Sequence, residues 1–233
     1  MVKTLAVGGM PGLVAHVRRS SRTRRLSLRV SALDGRVTLS LPKSVPLREA
    51  EAFLQERAEW LRSAVASQPP LIPVKPGAKL PVAGKELAVV ERSSRACVIE
   101  HSAIATRAGR PAGPQVAALL KRHARVHLTA ACEKYGAAVG RMPVRITLRD
   151  PRSRWGSCTS SGNLMFSWRL AMAPLPVLDY VAAHEVAHLR QMNHSARFWA
   201  LVRQLCPEYE PRRAWLHRHG ADLHRYRFSG EQG

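Results

Sequence analysis

The chain has 233 residues, 45% of them hydrophobic, enough to bury one large or two small cores and too many for a disordered segment. Lysine and arginine total 37 against 16 acidic residues, and the resulting +21 runs along the whole chain, so nucleic acid or nucleotides are plausible partners of the basic surface. Apolar runs fall short of the roughly 18 residues a membrane span needs, Gly8, Gly9, Pro11 and Gly12 interrupt any signal-peptide core, and four scattered cysteines argue against a disulfide scaffold or a cysteine zinc site. A reduced, cytoplasmic protein without a membrane partner is expected, and nothing in the pattern specifies an oligomeric state.

In chain order, residues 13–19 and 24–30 alternate polar and apolar, the period of half-buried strands. The densest basic run, Arg18, Arg19, Arg22, Arg24, Arg25 and Arg29, lies on and between them, without interleaved aromatics for base stacking. Asp34-Gly35 signals a hairpin turn and 37–41 the returning strand. The apolar positions between Leu47 and Ser67 recur at helical spacing and predict one helix. Pro69, Pro70, Pro73 and Pro76 form a stiff connector. Three strands are expected over 79–106 with a turn at Ala83-Gly84, then a Gly/Pro-rich loop from Ala108 to Pro114. A long helix follows over 115–139, with His123 and Val126 on its apolar stripe, then a strand at 143–149 and a hairpin over 152–170 turning at 160–163. Pro176 suits the first turn of a helix running to Gln191, and further helices start near Ser195 and Pro211.

The Pro176 helix carries His184-Glu185-Val186-Ala187-His188, an H-E-x-x-H pattern. Positions i and i+4 share one helix face, so both imidazoles can reach one Zn²⁺, while Glu185 lies about 100° around the helix and can approach a metal-activated water as general base. A catalytic zinc takes three protein ligands, and His194, in a segment able to fold back, is the leading third; Glu208 and Glu210 are the rivals. Asn193 suits a left-handed helix end and Ser195 a cap for the next helix. His217, His219 and His224 are expected on the surface, or else as an accessory metal site. Tyr209 and Arg154 are the candidate donors to an oxyanion. The residues 157–162 are small and polar, as in a loop beside a cleft.

The run Arg154-Trp155-Gly156-Ser157-Cys158, then Asn163-Leu164, Trp168-Arg169-Leu170, His184-Glu185 with His188, Asn193-His194 and Phe198-Trp199, resembles the YgjP-like metallopeptidase domain, a family related to the SprT-like and WLM zinc proteases. The Arg-rich hairpin, the helix ending in Trp60-Leu61 and the Gly84 turn extend the resemblance upstream. It implies an α+β fold: a β-rich region over 1–112 with one helix at 47–67, then a zincin-like core over 113–233, a small mixed sheet packed on a long helix and the H-E-x-x-H helix. It further implies one zinc per chain held by His184, His188 and His194, with Glu185 catalytic. The strand from Asn163 would be the edge strand that aligns a peptide substrate, as in zincins. The expected activity is zinc-dependent hydrolysis of peptide bonds. The alternatives are metal-dependent hydrolysis of nucleotide phosphoanhydrides, which lacks a Walker-type loop and has only 4 Asp for Mg²⁺, a protease associated with nucleic acid, and a structural zinc site.

Overall fold

A computed structural model describes residues 4–31, 35–93 and 95–229. The chain forms two compact units, Met1–Leu71 and Ile72–Gly233. This division falls earlier than the boundary expected after residue 112. The reason is packing: Leu80, Val82, Leu87, Val89 and Ile104 share one core with Val116, Leu120 and the later helices.

In the first unit, β1 (Thr4–Ala6), β2 (Val14–Arg19), β3 (Ser27–Val30) and β4 (Val37–Leu41) form a sheet in the order β1-β2-β4-β3. Strands β2 and β4 are parallel, and the other pairs antiparallel. Val37, Leu39 and Leu41 are buried and alternate with half-buried Thr38 and Ser40, as a strand with one core face requires. Strand β1 was not anticipated, because three residues are too few to show a period. The expected turn at Asp34-Gly35 has Asp34 outside the described residues, whereas Gly35 has φ +66°. The helix expected over 47–67 is two helices, α1 (Leu47–Glu56) and α2 (Ala58–Ala66), separated at Arg57 with φ −95° and ψ 8°. Ala50, Leu54 and Leu61 bury this pair against the sheet core.

In the second unit, β5 (Ile72–Pro73) precedes β6 (Lys79–Val82), β7 (Lys85–Arg92), β8 (Val98–Glu100) and β9 (Ala103–Arg107). The last four form one sheet in the order β6-β7-β9-β8, one strand more than the periodicity predicted. Ala83 and Gly84 both have positive φ, 51° and 79°, the signature of a two-residue hairpin turn. A Cβ at Gly84 would stand 3.0 Å from Pro174 Cγ, so the turn needs glycine for closeness as well as conformation.

Helix α3 (Ala112–Val139) buries Val116, Leu120, Ala124, Leu128, Ala131 and Tyr135 and ends at left-handed Gly140. Val126, placed on that stripe from the sequence, is instead 65% exposed. Next come β10 (Arg145–Arg149), β11 (Gly156–Cys158) and β12 (Asn163–Ser167), then a 3-10 turn at Trp168–Met172 and α4 (Leu175–Ala187). The small sheet is mixed: β12 lies in the middle, parallel to β10 and antiparallel to β11. The expectation that the Asn163 strand is an edge is therefore corrected; both its edges are occupied, and the outer edges belong to β10 and β11. Helices α5 (Ala196–Leu205) and α6 (Tyr209–His219) complete the helical layer, and β13 (Tyr226–Arg227) pairs in parallel with β5.

Buried Arg169 ties these parts together. Its guanidinium donates to both oxygens of Asp150, at 2.7 and 3.1 Å, and to the carbonyls of Leu223 and Tyr226, at 2.8 and 3.1 Å. The five guanidinium donors in a fixed fork make Arg the residue able to satisfy all four acceptors. Among the described residues, no helix is long and apolar enough to cross a membrane.

Candidate metal centre

Helix α4 is apolar almost all round, because α3, α5, α6 and the mixed sheet enclose it; His184 and Glu185 are its polar exceptions near the C-terminal end. The helix stops at Ala187, four residues before the predicted end at Gln191. Leu189 N–H donates to the Val186 carbonyl and Gln191 N–H to that of Ala187, which tightens the last turn. No left-handed residue is used: among the described non-glycine residues only Ala83 and His101 have positive φ, so Asn193 does not play that part.

Two arginines hold the exit. Arg141 donates to the Leu189 carbonyl at 2.5 Å, and Arg190 donates to the carbonyls of Val139 and Gly140 at 2.8 and 2.9 Å. The chain then turns back, and Ser195 caps α5 by accepting from Phe198 N–H. This return brings His194 to the α4 histidines. One nitrogen from each of His184, His188 and His194 lies within 4.8 Å of the others, a grouping able to hold a metal ion and the only such cluster of three among the described residues. His184 Nε2 and His194 Nε2 are 3.1 Å apart. Two nitrogens bound tetrahedrally at about 2.05 Å would be about 3.3 Å apart, so the donor set fits zinc.

The surroundings favour the neutral, ligating form of the ring. His188 Nδ1 lies 3.0 Å from the Gln191 carbonyl, which leaves Nε2 as the nitrogen with a free lone pair. Burial pushes the pKa of His184 down to about 3, with His188, His194 and Arg213 adding to the effect, and burial also lowers that of His188. His184 Nδ1 is buried without a hydrogen-bond partner. Phe198 is fully buried and underlies the three imidazoles, with centroid distances of 4.9, 4.5 and 4.8 Å to His184, His188 and His194.

Glu185 projects toward β11, about 100° around α4 from His184 and about 60° from His188. It is 5% exposed, and burial pushes its carboxyl up to about 8, against an opposing pull from Arg154. A Cβ on Gly156 would stand 2.5 Å from both Cγ and Oε1 of Glu185, so this edge strand touches the carboxyl through a residue that has no side chain. Ser157 and Cys158, expected in a loop, belong to β11. Among the described residues no strand occupies the outer edge of β11.

The remaining expected residues divide. Arg154 leads into β11 and reaches Glu185 electrostatically. Tyr209 is buried, stacks on Trp199 at 5.5 Å and Tyr180 at 6.4 Å, and pairs with Arg203. Glu208 pairs with Arg212 and Glu210 with Arg203, and neither belongs to the imidazole cluster. His217 and His219 are exposed, but His224 is buried against Trp155, 5.1 Å between centroids; the three do not form a metal-holding group. Sequence reasoning missed Gly156, the arginine pair at the exit, and Tyr180. Tyr180 sits one turn before His184, 6.0 Å away and edge-on, with its hydroxyl pushed up to about 12 by burial. The i, i+4 relation to His184 was the available signal for it.

An α+β domain with a mixed three-stranded sheet, a long helix and an H-E-x-x-H helix is zincin-like in arrangement. The family model for the YgjP-like metallopeptidase domain matches residues 24–219, and the chain belongs to that family. Comparisons with curated proteins and with solved structures gave no match.

Proposed function

We propose that this chain is a zinc-dependent metallopeptidase in which His184, His188 and His194 hold the ion and Glu185 is the general base. The observation that carries the reading is the convergence of three imidazole nitrogens on the same helix end as a buried carboxyl. When bound, Zn²⁺ supplies Lewis acidity that makes a water acidic near neutral pH and polarises a carbonyl. Glu185 takes a proton from the attacking water and delivers it to the leaving amine nitrogen. The positive charge of Arg154 favours the ionised carboxyl that the first of these transfers requires. The backbone of Gly156–Cys158, at the open edge of the mixed sheet, pairs with an extended substrate and holds its carbonyl beside Glu185. Arg154 is the better situated oxyanion donor, since Tyr209 is engaged by Arg203.

The test is Glu185→Gln, with zinc content and turnover on a peptide library measured on one preparation. Zinc is expected to stay, and turnover to fall by at least about 100-fold. Loss of zinc would make Glu185 a ligand. Undiminished turnover would put the base elsewhere, and glutamate-dependent cleavage of nucleoside triphosphates in place of peptides would transfer the site to phosphoanhydride chemistry.

A further inference from the structure

Near the imidazole cluster, α6 lines a concavity of about 370 Å³, formed by Glu210, Arg213, Ala214, His217 and Arg218. These positions are spaced three and four apart and share one helix face. The charges there do not balance. Glu210 is engaged by Arg203 at 3.3 Å, whereas Arg213 and Arg218 both border the cavity and form no ion pair with a carboxylate among the described residues. Arg213 lies over the Trp199 ring, 4.8 Å from its centroid, and Trp199 in turn stacks on His194 at 5.9 Å, with 29° between the planes. One indole therefore contacts both this guanidinium and a candidate metal ligand. The planar fork of Arg213, prealigned by the ring beneath it, suits a carboxylate.

We propose that the Arg213–Arg218 cavity binds a carboxylate of the peptide substrate, within about three residues of the scissile bond at about 3.3 Å per extended residue, and that the enzyme therefore selects acidic peptides. The inference rests on the peptidase reading for the nature of the ligand. The carboxylate has two sources, an Asp or Glu side chain or the substrate's C-terminus, and His217 at the cavity rim serves either.

Binding of fluorescent peptides to the zinc-loaded Glu185→Gln protein, followed by anisotropy, tests it without cleavage. One set of amide-capped peptides moves a single Glu, Gln or Lys through each position of a neutral host; a second set carries no acidic side chain but a free C-terminus. The expected result is binding at least about tenfold tighter for Glu than for Gln at one or two positions, or for the free terminus over the amide, which identifies the source. Arg213→Met should abolish this difference and Arg213→Glu should shift the preference to Lys. Arg110→Met is the control for diffuse charge. Arg110 precedes α3, about 33 Å along that helix from Cys132, at 1.5 Å per residue, and Cys132 is within electrostatic range of Glu185. Equal binding of Glu and Gln peptides, absence of binding by either, or equal losses in Arg213→Met and Arg110→Met overturns the proposal. Charge-selective binding with no hydrolysis of any bound peptide by the unmutated enzyme would instead defeat the peptidase reading and leave the carboxylate site standing.

Discussion

Gly156→Ala adds a single methyl group where β11 touches Glu185. The new Cβ would lie 2.5 Å from Glu185 Cγ and Oε1 and 2.7 Å from Cδ. Ordinary carbon contacts begin near about 3.5 Å, so the carboxyl must withdraw by about 1 Å. The strand backbone has no reason to move, because Gly156 is not among the glycines with positive φ. The tip of Glu185 is the softer partner, so the fold should lose only about 1–3 kcal/mol, the usual cost of an overpacked site. Catalysis should suffer more: displacement of a reacting group by about 1 Å lowers rates by on the order of 100-fold. The three nearest neighbours of the new Cβ all belong to Glu185 and none to an imidazole, so zinc content should be unchanged. The assay is kcat and KM on a cleaved peptide, with metal analysis and a melting curve on the same sample. A Gly156→Ala enzyme within about threefold of the parent rate would refute both the close approach and the role assigned to the carboxyl.

Further outcomes follow from other parts of the structure. His194→Ala should lower zinc occupancy strongly, whereas Glu208→Ala and Glu210→Ala, which remove exposed ion pairs, should leave it unchanged by elemental analysis and stability within about 1 kcal/mol. Saturating zinc should raise the stability of the Ile72–Gly233 unit by about 4 kcal/mol at a thousandfold excess over Kd. That is a rise of roughly 10 °C in calorimetry, reversed by a chelator, with no shift in a transition belonging to Met1–Leu71. Arg169→Lys should destabilise the second unit by about 2 kcal/mol in urea unfolding, since a lysine cannot reach Asp150 and the Leu223 and Tyr226 carbonyls together.

The sequence by itself determined the local features. The spacing of His184 and His188 places both rings on one helix face whatever surrounds them, because 3.6 residues per turn is a property of the backbone. Ala83-Gly84 as a hairpin turn, Ser195 as a cap and Gly140 as a helix end are likewise decided within a few residues. So is the alternation in Val37–Leu41. Only the tertiary structure decided which strand is central. Strands β11 and β12 were legible as a hairpin, but the parallel addition of β10 to β12 is a pairing between distant segments that leaves no periodic mark, and it transfers the open edge to Gly156–Cys158. The same holds for the membership of residues 79–107 in the second unit, which depends on core residues they share with 112–135. Phe198 beneath the imidazoles, Arg141 and Arg190 on the exit turn, and Gly156 against Glu185 each read in the sequence as an ordinary apolar, basic or small residue. Their roles come from close approaches between segments far apart in the chain, and such contacts are fixed only when the whole core packs.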